Sequence, residues 1–177
     1  MTLDRASSRQ LNGRPRKPGA ARAWSVLQGR LLFSLVAVVI FIADRISKQM
    51  VVANVPLGTE RPALPHVWIT NTQNPGAAFG VAQEATAVFL IASVVVSIGL
   101  VFYAARTPIG IWSGALLGLI LGGTLGNGYD RLLHGTVTDF IALHFWPVFN
   151  VADSAISVGV VLLLIGYVLR QKGRPAG

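Results

Sequence analysis

Along the chain, apolar residues gather into four long stretches, and the polar residues between them change character from gap to gap. The first stretch, Leu31–Ala43, meets Asp44, Arg45 and Lys48. Alone it is the length of a secretory signal-peptide core, but no small-residue cleavage site follows it. Continued through Ile46, Met50 and Val51 it reaches about 20 residues, enough to cross a bilayer, and it reads as a retained span over about 31–52. Residues 53–85 differ. Pro56, Gly58, Pro62, Pro65, Asn71, Asn74, Pro75, Gly76 and Gly80 punctuate short β-prone pieces such as Val67–Thr70, the pattern of strands and turns outside the membrane. A second span is expected over about 86–105, with no charge inside it. A third is expected over 109–128, after the short Arg106-Thr107-Pro108 connection. Residues 130–148 form a second outer segment, and a fourth span is expected over 149–169.

The third span carries Gly110, Gly114, Gly118, Gly122 and Gly126, one at every fourth position. On a helix this spacing makes a smooth ridge along which a neighbour can approach backbone to backbone. An even number of spans puts both chain ends on one side.

Charge supports the membrane reading and orients it. Only 12% of residues are charged and 53% are hydrophobic, against about 25% charged in an average soluble domain. The net charge of +8 is concentrated at the ends. Arg5, Arg9, Arg14, Arg16, Lys17, Arg22 and Arg30 precede the first span, and Arg170, Lys172 and Arg174 follow the last. Basic flanks of this kind lie on the cytoplasmic side. Residues 1–23 read as a disordered basic tail on anionic lipid, and 173–177 as a second cytoplasmic tail. The four-helix membrane domain proper is expected over 24–172. Without interleaved aromatics, the basic residues do not suggest nucleic-acid binding. Trp24, Trp112 and Trp146 fall near span ends, where interfacial anchors belong. The absence of cysteine removes thiol catalysis, disulfides and cysteine metal sites from consideration.

The chemistry resides in seven acids: Asp4, Asp44, Glu60, Glu84, Asp130, Asp139 and Asp153. Asp4 lies in the tail, and Glu60 and Glu84 belong to the solvated outer segment. The other four fall at the outward level of the spans, where a charge is costly and needs a partner or a task. Asp44 and Lys48, four residues apart, make a structural ion pair. Arg131 points away from Asp130 on a helix and is available to another acid or a carbonyl. Asp139 and Asp153 have no evident cation. Two such carboxyls brought together share one proton, which is the working state of an aspartic peptidase that activates water without metal or cofactor. Spacing alone does not establish that they meet.

Five blocks in order complete the pattern: Asp44-Arg-Ile-Ser-Lys48, Asn74-Pro-Gly-Ala-Ala-Phe-Gly80, Gly122–Arg131, Val137-Thr-Asp-Phe140 and Phe149-Asn-Val-Ala-Asp-Ser154. Over about 31–170 the chain resembles the prolipoprotein signal peptidase family, or signal peptidase II. The resemblance implies a mainly α membrane protein of four transmembrane helices with a small extracytoplasmic antiparallel β cradle, in the bacterial cytoplasmic membrane. It implies an aspartic endopeptidase that cleaves diacylglyceryl-modified prolipoproteins on the amino side of the lipidated cysteine. It places the catalytic pair at Asp139 and Asp153, with no metal. Asn74, Gly76, Asn127, Asp130, Arg131 and Asn150 match substrate-binding or dyad-supporting positions, and Asp44 and Lys48 match the first-span pair. For Asn127 and Asn150, helix-terminus capping is the competing reading. Pro75 departs from the small polar residue expected there. The expected partners are the lipidated precursor and membrane lipids, with the enzyme acting as a monomer.

Other chemistries fit less well. His134, Asp139 and His144 are spaced five and five, which does not set both His on one helix face for zinc. Ser47 and Lys48 are adjacent and point apart, so they form no Ser–Lys pair, and Ser154 has no evident base. A transporter commonly shows an internal repeat, and none is found.

Overall fold

The computed structural model describes residues 19–76 and 82–172. The tail expected over 1–18, the tail 173–177, and Ala77–Gly80 of the Asn74 block lie outside the described residues. Four long helices and a three-stranded sheet make up the rest: α1 (Ala20–Asn54), β1 (Glu60–Leu64), β2 (Val67–Asn74), α2 (Ala82–Arg106), α3 (Ile111–His134), β3 (Val137–Ala142) and α4 (Val151–Lys172).

Three of the helices, α1, α2 over Thr86–Arg106, and α4, are long and apolar enough to cross a membrane. Their outer faces leave large aliphatic side chains bare, among them Leu35, Val39, Val95, Ile98, Leu164 and Val168. Lipid tails cover such a surface without penalty. The helix expected as a fourth span, α3, has comparable length. Its hydropathy is diluted by glycines, Thr124 and Asn127, and it is the helix the others wrap, with Leu117, Ile120, Leu121 and Asn127 buried.

The glycine ridge lets α3 approach α1 closely. A Cβ at Gly118 would stand 2.6 Å from the Phe33 carbonyl oxygen, and one at Gly122 would stand 2.6 Å from that of Ala37. A side chain at Gly114 would run into the backbone of Gly29. Gly110, grouped with the ridge on spacing, lies just ahead of the helix, and a Cβ there would meet nothing within 4 Å. On the other flank, Gly123 packs on Ala152 and Ile156 of α4.

Two boundaries differ from the sequence expectation. First, α1 begins at Ala20, so residues 20–23 are helical rather than disordered tail. Ala and Arg are strong helix formers, and no proline interrupts the run before Pro56 ends it. Second, α3 runs on to His134, so Asp130 and Arg131 belong to its closing turns and not to the outer segment. Gly135, at φ 72°, ends the helix in the left-handed conformation that L side chains disfavour.

The sheet is antiparallel in the order β1-β2-β3. It docks on the end of α1 through Val51, Val55 and Phe140, packed with Ile69, Ile141 and Val151. That contact places β3 beside the last turns of α1 and α3 and the first turn of α4.

Candidate active site

A backbone clasp brings the two candidate acids together. Asp139 lies on β3 opposite Thr72 of β2. The next residues of the strand, Phe140 and Ile141, donate their N–H groups to the Phe149 carbonyl at 3.0 and 2.8 Å, and Phe149 N–H returns a bond to Ile141 O at 3.1 Å. The chain between them therefore doubles back, and α4 starts two residues after Phe149, at β3's side.

Asn150 occupies the junction. Its Oδ1 accepts the backbone N–H of Asp153 at 2.9 Å, while an Asp153 carboxylate oxygen accepts the backbone N–H of Asn150 at 3.2 Å. This is a reciprocal capping box. The same Asn150 donates from Nδ2 to Asp139 Oδ1 at 2.7 Å. The Asn150 side chain thus caps α4 and reaches Asp139 at once. The fully buried Asn150 holds both carboxyls, that of Asp139 through its side-chain amide and that of Asp153 through its backbone N–H. Asn127 of α3 donates from Nδ2 to Asp153 Oδ1 at 2.7 Å. Asn74 at the end of β2 donates from Nδ2 to Asp139 Oδ2 at 2.8 Å.

Each acid thus receives two N–H donors. Burial pushes the Asp139 carboxyl above the ordinary carboxylate value. The Asp153 charge adds to that rise, and the Asn74 and Asn150 hydrogen bonds and the charge of Lys48 oppose it.

Beneath the dyad lies a buried ionic cluster. The Lys48 ammonium reaches Asp44 Oδ2 at 2.8 Å, Asp130 Oδ2 at 2.9 Å and Asn127 Oδ1 at 2.8 Å. The first two contacts are ion pairs and the third is a hydrogen bond to the Asn127 side-chain oxygen. Asp130 is also paired with Arg45, whose guanidinium covers the Tyr129 ring at 4.4 Å. Asp44 additionally accepts the Ala152 N–H at 3.0 Å. It therefore satisfies one of the open N–H groups of α4's first turn as well as pairing with Lys48. The expected Asp44–Lys48 pair is present but is part of a larger cluster, and Arg45, not singled out from sequence as a site residue, is a member of it. No spacing rule connects α1 to the start of α4, so only the folded chain reveals this link.

Arg131 lies on the other side of the site. Its guanidinium packs 5.0 Å from the Phe89 ring of α2 and makes one long bond, 3.5 Å, to the Asn127 carbonyl. Its Nε is buried and has no hydrogen-bond partner among the described residues. Gly76 packs against the same Phe89. It adopts φ +83°, and a Cβ there would stand 2.7 Å from the Phe89 ring. The Gly76 N–H donates to Asn74 Oδ1 at 2.7 Å, which turns the Asn74 amide nitrogen toward Asp139. A cavity of about 520 Å³ borders the ionic cluster, lined by Arg45, Lys48, Gln73, Asp130, His134 and Thr138 among others.

The two histidines considered as metal ligands stand apart from the dyad. His134 Nδ1 lies 4.0 Å from Asp130. His144 stacks on Trp68 and meets Glu60 at 3.1 Å at the sheet surface.

A family model described as Signal peptidase (SPase) II matches residues 36–169, a stretch that holds every residue of this site. The chain belongs to the signal peptidase II family. It is accordingly an aspartic peptidase and a multi-pass bacterial membrane protein. Lipoprotein signal peptidases of Desulfitobacterium hafniense and Bacillus velezensis are 41% and 40% identical to it, each over 76% of this chain and 91% and 92% of their own length. Two solved structures of bacterial membrane enzymes, obtained by the in meso method at 2.3 and 1.9 Å resolution, superpose with TM-scores of 0.71 and 0.70 at 30% and 32% identity. They cover 81% and 75% of this chain and 92% and 90% of their own.

Proposed function

We propose that this signal peptidase II removes signal peptides from diacylglyceryl-modified prolipoproteins, cutting on the amino side of the lipidated cysteine, with Asp139 and Asp153 activating the attacking water. The observation that carries the proposal is the Asn150 bridge, which binds both carboxyls through one side chain and its own N–H. Asp139 holds the shared proton, because burial favours its neutral form. Asp153 stands in the first turn of α4, where the helix dipole favours negative charge. Asp153 takes a proton from water as that water attacks the scissile carbonyl. Asp139 gives its hydrogen bond, and then its proton, to the developing oxyanion. Asp153 then passes the water proton to the leaving cysteine nitrogen as the C–N bond breaks, and a hydroxyl proton of the intermediate returns to Asp139, which frees the signal peptide and restores the pair.

Arg131, with its unused buried donor, and Asn74 with Gly76 flank the approach to the pair. We assign Arg131 to a carbonyl of the precursor. Asp130 acts at one remove, by holding Lys48 and Arg45. The substrate is a membrane helix ending in a lipid-bearing cysteine, and it reaches the dyad laterally along the bare aliphatic faces of the bundle.

The dyad is placed at the outer surface, with both termini cytoplasmic. Arg30 bonds the carbonyls of Ala104 and Ala105 at 3.0 and 2.8 Å, which gathers it with Arg106 at the bundle end opposite the sheet. Arg170 and Lys172 close α4 at that end as well. The basic-inside rule makes that end cytoplasmic. The four helices, α3 among them, are then spans, and the enzyme works as a monomer.

The test is cleavage of a lipidated precursor by purified Asp139→Asn and Asp153→Asn. Each should insert and fold normally and lose turnover by at least about 1,000-fold. Near-normal turnover by either would end the assignment.

A further inference from the structure

We propose that Lys48 is a positioning residue for the Asp153 carboxylate, acting through the side-chain amide of Asn127. The inference rests on the reading of Asp153 as the base, and it gives the first-helix lysine a task beyond pairing with Asp44.

The argument turns on the direction of an amide. A carboxamide has an accepting end and a donating end of nearly the same shape, and its surroundings decide which way it faces. An ammonium only donates. Lys48 Nζ lies 2.8 Å from Asn127 Oδ1, so the oxygen must face the lysine. Asn150 Nδ2 also donates to that oxygen, at 3.1 Å. The opposite end, Nδ2, is thereby turned to Asp153 Oδ1 at 2.7 Å. The lysine is 2% exposed and is also ion-paired with Asp44 and Asp130. It cannot swing away or exchange its partner for water. A positive charge behind the amide also polarises it, strengthening the hydrogen bond it gives to the carboxylate. The charged groups around Asp153 are Asp139 on β3, Arg131 on α3 and, through the amide, Lys48 on α1. The dipole of α4 adds to them. Among the charged groups it is Lys48, together with the neutral Asn150 amide, that fixes which end of the Asn127 amide the base meets.

Two variants of the full-length enzyme separate this role from a structural one. Asn127→Asp keeps an oxygen for Lys48 and for Asn150 but has no N–H for Asp153. Asp44→Asn with Lys48→Met removes one positive and one negative charge together. It keeps an amide oxygen at position 44 to accept the Ala152 N–H, and it leaves Asp130 with Arg45. The readouts are kcat and KM on a diacylglyceryl-modified precursor, the pH profile of kcat and the unfolding temperature.

For Asn127→Asp the expected results are a kcat loss of about 100-fold, KM within about threefold and a normal unfolding temperature. For the charge-neutral pair the expected results are a kcat loss of about tenfold and an acid limb moved up by about one pH unit. Added to Asn127→Ala, the pair of changes should cost no more than Asn127→Ala alone. Wild-type kcat in Asn127→Asp, or additive losses in the combined variant, would overturn the proposal. If the charge-neutral pair does not fold, Asp44→Asn with Lys48→Gln takes its place, losing the charges but keeping an N–H for Asn127 Oδ1, and an acid limb unmoved there would overturn the proposal. Asp153→Asn is run alongside. Full activity there would sink the dyad itself, whereas an inactive Asp153→Asn beside an unimpaired Asn127→Asp would sink only the role of Lys48.

Discussion

Gly126→Ala is a one-methyl perturbation aimed at the support of the active site. A Cβ at Gly126 would stand 2.5 Å from Asp44 Oδ2 and 3.1 Å from its Cγ. Asp44 has nowhere to retreat. It is fully buried, its Oδ2 faces Lys48, and its Oδ1 holds the Ala152 N–H. Overpacking at such a point costs about 1–3 kcal/mol. Against this, Ala is the better helix former by about 1 kcal/mol. The clash outweighs the propensity gain by up to about 2 kcal/mol, because the atom it meets is charged and held on both sides. For a chain of this size that is a fall in unfolding temperature of up to about 8 °C, and a larger one relative to variants that gain propensity without a clash. Turnover should fall too, since displacing Asp44 disturbs the first turn of α4 that carries Asp153. Gly99→Ala and Gly166→Ala are the controls. They lie in α2 and α4 with nothing within 4 Å of the added Cβ, so they gain helix propensity without a clash. Thermal unfolding of all three in detergent, with precursor cleavage measured on each, is the assay. Gly126→Ala as stable and active as the controls would refute the reasoning that the ridge is shaped around the Asp44–Lys48 pair.

Further outcomes follow from the same geometry. Since Asp139 titrates above the ordinary carboxylate value of about 3.9, its proton persists as pH rises beyond that value. The alkaline fall in kcat should therefore begin above the ordinary carboxylate range, and a fall complete by about pH 4 would contradict the assignment of the proton. Asn74→Ala removes a hydrogen bond that favours the charged form of Asp139, so the alkaline limb should move further up while kcat drops about tenfold. A downward movement in the pH profile would show that the bond acts otherwise. Arg45→Met leaves Asp130 with Lys48 as its close cation. With Arg45 17% exposed and water able to help, the loss should be about 1–3 kcal/mol in thermal unfolding, and no loss would show the pair to be idle. Gly76→Ala forces a side chain into a left-handed turn and against Phe89. Measured on the lipidated precursor, it should raise KM more than it lowers kcat, and the reverse would move Gly76 from substrate approach to chemistry.

The helical frame is legible in the sequence because bilayer-length apolar runs announce themselves one window at a time. The strands are visible through the Pro and Gly that bound them. The ends are harder to read. Asp130 and Arg131 look like loop residues in any hydropathy window, yet they complete α3, because Arg45 and Lys48 arrive from α1 to meet Asp130. Ala20–Ala23 looks like tail by composition, and it joins α1 because nothing there stops a helix. The Asp44–Lys48 pair is readable from its spacing of four. Its extension to Asp130, Asn127 and Ala152 is not, since those partners come from two other helices. For Asn150, capping and carboxyl support stand as alternatives in the sequence, and the folded chain shows one side chain doing both. The orientation of Asn127, which turns on a lysine far away in sequence, has no sequence signal at all.

The central claim is a single proton held between Asp139 and Asp153, resting on Asp139. Infrared difference spectroscopy of the protonated-carboxyl band, at the pH of maximal turnover, tests it most directly. The band assigned to this site should be present in the wild-type enzyme, vanish in Asp139→Asn, and shift but survive in Asp153→Asn. A band unchanged by Asp139→Asn, or lost only in Asp153→Asn, would contradict the account.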